Sequence, residues 1–217
     1  MKKVVYLFFF VFSLSNTVKA QEQYASEINE FRKQDSINPP PQHAILFVGS
    51  SSFRMWDNMQ EMFSGYSVIN RGFGGSNLLD LEYYLDKIVF PYQPKQIVIY
   101  SGENDIASDT VSPDMVLTRF VNVFNLIRNK MPGIPIVYVS IKPSPSRAHL
   151  LHLMITSNKR IKEFLKSKPN TDFVDVYKLM IDKKGKPRSE LFIADNLHMN
   201  QQGYEIWQKA VRPHLIK

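Results

Sequence analysis

The stretch Ala44-Ile45-Leu46-Phe47-Val48-Gly49-Ser50-Ser51 decides the fold class, because a short apolar run leads directly into a glycine turn. Continuous apolar runs of this length, bounded by turn residues, are typical of parallel strands that are buried on both faces. The sequence therefore predicts a first strand at residues 44–48. Four more runs of this kind follow at wide spacing, over residues 66–69, 96–100, 134–139 and 173–176.

Helical patterns fill the intervals between these strands. Residues 77–89 place four apolar side chains on one face, and residues 116–127 show the same periodicity. Strands that alternate with helices predict an α/β domain, in which right-handed crossovers place helices on both faces of a parallel sheet. Further helices are predicted for residues 22–35, 53–63, 152–165 and 202–215.

The first twenty residues differ from the rest of the chain. Lys2 and Lys3 precede a short apolar run over residues 4–14, and Ala20 is a small residue that suits cleavage. This pattern predicts a secretory signal peptide at residues 1–20. The alternative is a membrane anchor, but the apolar run is much shorter than the roughly 20 residues that a membrane span needs. We therefore expect an exported protein, periplasmic or secreted, with no stable membrane anchor after cleavage near Ala20.

The mature chain is predicted to contain two parts. Residues 21–42 hold the first helix and a proline-rich connector, and residues 43–217 form one domain. A domain of about 175 residues is large enough to bury a core of its own. The chain contains no cysteine, which excludes disulfides, thiolate metal sites and a lipid anchor on a cysteine.

The charge of the chain does not indicate a nucleic-acid partner. Lys and Arg number 27 against 20 acidic residues, and removal of the three lysines in residues 1–20 lowers the formal net charge from +7 to +4. The basic residues concentrate at residues 159–168 and 183–186. We interpret these two clusters as solvated surface of a helix and a loop rather than as a site for nucleic acid.

Polar segments follow four of the predicted strands. In a doubly wound sheet, ligands bind outside the carboxyl ends of the strands. We therefore expect the four segments to converge on one rim of the sheet and to form the functional site there. They are Ser51, residues 72–76 (Gly-Phe-Gly-Gly-Ser), residues 102–105 (Gly-Glu-Asn-Asp) and residues 142–147 (Lys-Pro-Ser-Pro-Ser-Arg).

The stretch Asp195-Asn196-Leu197-His198 supplies the other groups that a serine nucleophile needs. A serine hydroxyl is a weak nucleophile at neutral pH and requires a base, whose ring a carboxylate must orient. Among the five histidines, His198 is the one with a carboxylate at a suitable spacing, namely Asp195. The sequence thus predicts Ser51 as the nucleophile, His198 as the base and Asp195 as the orienting acid.

Three groups are candidates to stabilise the oxyanion of a tetrahedral intermediate. The backbone N–H of Ser51 would lie at the start of a helix, where the helix dipole favours negative charge. Gly75 has no Cβ and lets the backbone approach a substrate, and the Asn104 side chain offers a neutral amide donor. Residues 72–76 lack the G-x-G-x-x-G spacing of a dinucleotide loop and follow the second strand, so we reject that interpretation.

Together these segments resemble the sequence blocks of the SGNH/GDSL hydrolase superfamily, which carry Ser, Gly, Asn and His. The resemblance covers almost all of the chain after residue 20, and the block spacing is similar to that of platelet-activating-factor acetylhydrolase-like members. It implies a flavodoxin-like, three-layer α/β/α sandwich with a five-stranded parallel sheet. It also implies ester hydrolysis through an acyl-serine, without a metal or cofactor. The matching blocks are residues 47–51, 70–75, 102–105 and 195–198.

One residue departs from the family pattern. The first block commonly reads Gly-Asp-Ser, and Ser50 stands here in place of the Asp. Because that Asp is not the acid of the triad, we expect the mechanism to be retained with different hydrogen bonding around Ser51. The change also leaves three consecutive serines, and the block match selects Ser51 over Ser50 and Ser52.

The rim predicts a polar substrate. Its polar character suits a sugar better than a long acyl chain, and the sequence has no apolar insertion of the kind that covers a lipase site. We expect an exported serine esterase that hydrolyses short-chain esters, chiefly acetyl, on carbohydrate. The alternative is a non-catalytic glycan-binding module on the same fold, which would have no physical need for a complete triad. The residues predicted to contact substrate are Ser50, Asn77, Glu103, Asp105 and Arg147.

Overall fold

The computed structural model describes residues 23–108 and 110–217, so the predicted signal peptide lies outside the described residues. The chain divides into two compact units between Pro39 and Pro40. The described part of the first unit contains helix α1, Ala25–Ile37, which is capped by Asn38 immediately before the prolines. The second unit, Pro40–Lys217, contains the sheet and all of the polar segments described above.

Five parallel strands form one sheet in the order β2-β1-β3-β4-β5. Gly49 of the first strand is in register with Gly72 of the second and Tyr100 of the third, so three carboxyl ends lie side by side. The strand order changes direction between β1 and β3, which is where a doubly wound sheet forms its binding crevice. The strands are Ile45–Gly49 (β1), Val68–Gly72 (β2), Gln96–Tyr100 (β3), Ile136–Val139 (β4) and Thr171–Val174 (β5).

Helices follow every strand, and three of them are single turns. The helices of the second unit are Ser51–Arg54 (α2), Met59–Met62 (α3), Leu78–Ile88 (α4), Glu103–Ile106 (α5), Pro113–Lys130 (α6), Leu151–Lys166 (α7) and Gln201–Val211 (α8). Short 3₁₀ turns lie at Phe90–Tyr92, Pro145–Leu150, Ser189–Leu191 and Arg212–His214.

Different helices cover the two faces of the sheet. On one face, the Trp207 ring of α8 packs against Phe53 of α2 and Tyr100 of β3, with ring centroids 6.0 and 4.7 Å apart. On the other face, α6 lies between α4 and α7, and its Phe120 ring lies 4.8 Å from Tyr138 of β4. The prediction of a three-layer α/β/α sandwich with a five-stranded parallel sheet is confirmed.

Two helices differ from their predicted form. The single helix expected over residues 53–63 is instead the pair of turns α2 and α3, and Trp56 lies between them with 1% of its surface exposed. The break lets the indole enter the core, where it stacks on Tyr204 at 5.0 Å. The last helix ends at Val211, before the predicted residue 215, and continues as a 3₁₀ turn that contains Pro213, which has no N–H to donate.

Candidate active site

Ser51 lies just beyond the carboxyl end of β1, directly after a turn that requires glycine. Gly49 has a φ of 138°, and a Cβ at this position would lie 1.8 Å from the carbonyl oxygen of Tyr100. The backbone N–H of Ser50 donates to the same oxygen at 3.0 Å, which holds the turn against β3. Helix α2 begins at Ser51, so the N–H of Ser51 is among those that a helix leaves without an internal acceptor.

The structure brings Ser51, His198 and Asp195 into one hydrogen-bonded chain. Ser51 Oγ lies 2.9 Å from His198 Nε2, although the two residues are 147 positions apart. His198 Nδ1 lies 2.6 Å from Asp195 Oδ2. The side chain of His198 is 19% exposed and that of Asp195 is 44% exposed, so this loop lies at the surface.

The electrostatics of Asp195 determine which nitrogen of His198 carries the proton. Burial acts to raise the pKa of Asp195, but the hydrogen bonds from the His198 ring and from the N–H groups of His198 and Leu197 outweigh it and bring the pKa to about 2. An ionised carboxylate only accepts hydrogen bonds, so His198 Nδ1 is the protonated nitrogen. In the neutral ring Nε2 is then an acceptor, and the Ser51 hydroxyl is placed to donate to it.

Asn104 and Gly75 lie next to each other, on the segments that follow β3 and β2. A Cβ on Gly75 would have Asn104 Nδ2 as its nearest neighbour, at 3.9 Å. Asn104 Nδ2 donates to the carbonyl oxygen of Ser76 at 3.0 Å. The Ser76 hydroxyl lies 3.3 Å from the carbonyl oxygen of Gly49, which connects this segment to the turn that carries Ser51.

Three of the residues predicted to contact substrate are part of the supporting structure. The Asp105 carboxylate is buried and binds Arg119 at 2.7 Å and the Leu78 N–H at 2.9 Å. The Asn77 side chain caps the first turn of α4, and Ser50 is buried within the turn before Ser51. Because these contacts are internal, we do not include the three residues in the proposed substrate site.

Glu103 is also internal, with 3% of its surface exposed. It pairs with Lys142, which is 1% exposed, and accepts hydrogen bonds from Tyr100 at 2.6 Å and Ser144 at 3.1 Å. Burial acts to raise the pKa of Glu103, but the charges of Lys142 and Arg147 outweigh it and hold this pKa below its usual value. Glu103 is thus an ionised carboxylate enclosed by cations and hydroxyl groups.

Arg147 connects Glu103 with Asn104. One guanidinium nitrogen, Nη1, lies 3.3 Å from Glu103 Oε1, and the other, Nη2, donates to Asn104 Oδ1 at 2.9 Å. The side chain of Arg147 is 17% exposed. Arg147 was one of the five residues predicted to contact substrate. In the structure it is hydrogen-bonded to Asn104, whose amide was predicted to stabilise the oxyanion.

Asn158, which was not among the predicted site residues, fixes the segment after β4. The buried Asn158 of α7 accepts from the Ile141 N–H at 2.8 Å and donates to the Ile141 carbonyl at 2.9 Å. In the sequence, Asn158 stands four residues after Met154 and three before Ile161, on the apolar face of the predicted helix. A polar residue on such a face needs a buried partner, and that was the available signal.

The described residues contain neither a metal-binding cluster nor a membrane-spanning helix. No cluster of three or more His, Asp or Glu side chains that could hold a metal ion occurs in residues 23–108 and 110–217. No helix in the same ranges has both the length and the apolar character to cross a membrane.

Residues 44–206 match the sequence profile of the GDSL-like lipase/acylhydrolase family, and this match covers most of the chain. The protein therefore belongs to this family and is an esterase of the acylhydrolase type. The resemblance inferred from the four sequence blocks is confirmed. A search of curated proteins found no match.

Solved structures share the fold at low sequence identity. A Streptococcus pneumoniae protein, provisionally described as a platelet activating factor, is 21% identical, with 95% of this chain and 99% of that chain covered and a TM-score of 0.78. A GDSL-like lipase from Bacteroides thetaiotaomicron is 20% identical, with 89% and 96% covered and a TM-score of 0.72. A mutant of an acetyl-xylooligosaccharide esterase from Geobacillus is 14% identical, with 81% and 96% covered and a TM-score of 0.65. At these identities, the similarity shows the fold alone.

Proposed function

We propose that this protein is an exported serine esterase that removes short acyl groups, chiefly acetyl, from carbohydrate. The observation that carries the proposal is the hydrogen-bonded chain from Ser51 Oγ through the His198 ring to Asp195, with distances of 2.9 and 2.6 Å. A hydroxyl nucleophile, a neutral imidazole and an ionised carboxylate in this order are what acyl transfer through serine requires.

The first half of the reaction forms the acyl-enzyme. Ser51 Oγ attacks the ester carbonyl carbon while its proton moves to His198 Nε2. The imidazolium that results is stabilised by ionised Asp195. The tetrahedral intermediate then collapses, the bond to the alcohol oxygen breaks, and His198 returns the proton to that oxygen as the alcohol leaves.

The second half releases the acid. A water molecule loses a proton to His198 Nε2 and attacks the acyl-serine carbonyl carbon. Collapse of this second intermediate breaks the bond to Ser51 Oγ, which takes the proton back from His198. The balance is one ester and one water converted to one acid and one alcohol.

Both intermediates carry an oxyanion that needs hydrogen-bond donors. We assign this role to the N–H groups of Ser51 and Gly75 and to Asn104 Nδ2. Its support is the adjacency of Gly75 and Asn104 Nδ2, and the link from Ser76 to the Ser51 turn. Loss of one such donor raises the barrier by about 3 kcal/mol.

Two observations support a short acyl group on a sugar. The loop with Asp195 and His198 is exposed, which leaves room for a bulky alcohol on the leaving-group side. One protein of this fold is by name an acetyl-xylooligosaccharide esterase, so an acetylated sugar is compatible with the fold. The proposed small-molecule partner is accordingly an ester or an acylated carbohydrate.

The test compares p-nitrophenyl acetate, p-nitrophenyl octanoate and acetylated xylooligosaccharides as substrates of the protein. We expect faster turnover of the acetyl ester than of the octanoyl ester, and release of acetate from the sugar. Ser51→Ala should abolish turnover and covalent labelling by a fluorophosphonate. Ser50→Ala and Ser52→Ala are the matched controls, and both should keep most of the activity.

Three results would count against the proposal. Preference for the octanoyl ester would favour a lipase, and equal activity of wild type and Ser51→Ala would exclude this nucleophile. A folded wild-type protein that binds acetylated sugar without hydrolysing it would favour the glycan-binding module.

Export is proposed from the sequence pattern of residues 1–20, which lie outside the described residues. The test is expression of the full chain in a bacterial host, followed by N-terminal sequencing of the protein outside the cytoplasm. We expect the mature chain to begin at Gln21. Recovery of the uncleaved chain in the cytoplasm alone would contradict this part of the proposal.

A further inference from the structure

The Arg147 guanidinium contacts two neighbouring residues of α5 at once. Its Nη2 donates to Asn104 Oδ1 at 2.9 Å, and its Nη1 lies 3.3 Å from Glu103 Oε1. The triad mechanism given above uses neither Arg147 nor Glu103. The function of this buried ionic network, which lies beside a proposed oxyanion donor, is therefore not explained by the triad.

The Asn104 amide presents its NH₂ group to the proposed oxyanion in only one of its two orientations. A half-turn about its last side-chain bond would exchange Nδ2 with Oδ1 and place an oxygen where the NH₂ group now lies. Arg147 has donors and no acceptor, and the Ser76 carbonyl is an acceptor without a donor. Since Asn104 lies between them, both contacts would be mismatched in the turned orientation.

Arg147 is itself held in place by buried partners. Glu103 is 3% exposed, and it also binds the Ser144 hydroxyl at 3.1 Å and the buried Lys142. Glu103 thereby holds the Arg147 guanidinium next to the Asn104 amide. A hydrogen bond from a cation to Oδ1 also polarises the amide, which makes its N–H groups stronger donors.

The backbone that leads into Arg147 is fixed at two points. Asn158 holds Ile141 by two hydrogen bonds of 2.8 and 2.9 Å, shortly before the 3₁₀ turn Pro145–Leu150. Within that turn, the Ser146 N–H donates to the carbonyl oxygen of Asn196 at 3.0 Å. One segment thus supports both Asn104 and the loop between Asp195 and His198.

We propose that Arg147 is a positioning residue, which holds the Asn104 amide with its NH₂ group toward the oxyanion and strengthens it as a donor. Glu103 holds the guanidinium in place, and Lys142 in turn holds Glu103. This inference rests on the proposed serine-esterase function, and it replaces the expectation that Arg147 contacts the substrate directly.

The experiment is a double-mutant cycle with Arg147→Met and Asn104→Ala, with kcat and KM measured on p-nitrophenyl acetate. Asn104→Ala should lower kcat about 10²- to 10³-fold, as loss of an oxyanion donor does. Arg147→Met should lower kcat by less, about 10- to 100-fold, and leave KM within about twofold, because it acts through that donor. In the Asn104→Ala background, Arg147→Met should lower kcat by less than about threefold.

A control separates this effect from a general loss of structure. Arg128 also donates several hydrogen bonds from its guanidinium group, but to the backbone carbonyls of Ile134, Pro169 and Asn170 and not to Asn104. Arg128→Met should lower Tm and leave kcat unchanged in both backgrounds. If Arg147→Met does not fold, Arg147→Gln enters the same cycle, because its amide can still donate to Asn104 Oδ1. We expect a smaller loss with the same dependence on Asn104.

Two outcomes overturn the inference and leave the esterase function standing. An equal fall of kcat in both backgrounds would show that Arg147→Met does not act through Asn104, and a raised KM with unchanged kcat would make Arg147 a substrate contact. An inactive wild-type protein would remove the proposed function and this inference together.

Discussion

Two charged clusters near the proposed active site are built in opposite ways. Asp195 and His198 come from one short loop, and the side chain of Asp195 is 44% exposed. Glu103, Lys142 and Arg147 come from two segments about 40 residues apart, and Glu103 is 3% exposed. The first cluster is local in the chain and open to solvent, whereas the second is assembled by the fold and enclosed.

The difference shows how one site combines access with rigidity. A base must exchange protons with substrate and water, so His198 has to remain accessible. An amide that stabilises an oxyanion must instead be fixed before the charge develops, since reorganisation would add to the barrier. A buried ion pair can fix neighbouring groups, because movement of either partner away from the other would leave an uncompensated buried charge.

The largest expected effect concerns the exposed cluster. Asp195→Asn should lower kcat about 10⁴-fold, because an amide no longer selects the His198 tautomer that leaves Nε2 as an acceptor. Tm should change little, since Asp195 lies at the surface. The measurement is turnover of p-nitrophenyl acetate together with a thermal melt followed by circular dichroism.

A second Asp–His pair offers a matched control for that variant. Asp172 pairs with His214 through Nδ1 in the same way, on an exposed surface. Asp172→Asn should leave kcat unchanged. Equal losses in the two variants, or a loss below tenfold for Asp195→Asn, would remove the functional contrast between the clusters.

The next effect concerns the stability of the buried cluster. Glu103→Gln leaves Lys142 and Arg147 without a counter-ion and should lower the free energy of unfolding by about 3–5 kcal/mol. Urea denaturation measures this change. Glu163→Gln is the control, because Glu163 pairs with Lys166 at 2.7 Å but is 56% exposed, and its loss should give no measurable shift. Equal stability of the two variants would contradict the interpretation of the buried pair.

A smaller effect is expected at Gly75, where a substitution should change kcat/KM and not thermal stability. The nearest atom to a Cβ on Gly75 is Asn104 Nδ2 at 3.9 Å, an ordinary contact, so Gly75→Ala should keep its Tm. The methyl group would occupy space beside the proposed oxyanion donor and lower kcat/KM by about 10²-fold. Gly203→Ala should do the reverse and lower Tm, because its Cβ would lie 2.7 Å from the Leu191 carbonyl oxygen. Unchanged kcat/KM in Gly75→Ala would exclude Gly75 from the oxyanion site.

The smallest effect is a pH dependence of stability that comes from Asp195. Its pKa is lowered from 3.8 to about 2 in the folded protein, so its contribution is present above about pH 4 and is lost as the pH falls toward 2. Thermal melts between pH 5 and pH 2 should therefore show a shallower decrease of Tm in Asp195→Asn than in wild type. The difference should be small because solvent screens an exposed group. Parallel curves would mean that the hydrogen bonds to Asp195 contribute nothing to stability.

Much of the fold could be predicted from residues 44–51 and the four runs that follow. Strand β3 has its predicted bounds, and the bounds of the other four strands differ from the predicted ones by at most three residues. The division of the helix predicted over residues 53–63 could not be predicted, because it depends on the contact of Trp56 with Tyr204 of a distant helix. Short apolar runs report that a segment is buried, whereas a break in a helix depends on what the segment packs against.

In the candidate site, too, local features could be predicted from the sequence, whereas contacts between distant segments could not. Ser51, Asp195 and His198 were predicted from residue type and spacing, and the structure places them within hydrogen-bond distance; their catalytic roles stay a prediction. Glu103 and Asp105 were predicted to face substrate because they are polar and follow a strand. The structure buries both, since their cationic partners come from segments that a local pattern does not reveal.

The sequence by itself determined the alternation of strands and helices, the family and the three residues proposed for the triad. These follow from local periodicity and from short blocks whose residue types are chemically specific. The tertiary structure alone decided which polar residues of the rim face inward and how Arg147 contacts Asn104. The physical reason is that a charge can be buried only where a distant segment supplies its partner, and that pairing exists only in the folded chain.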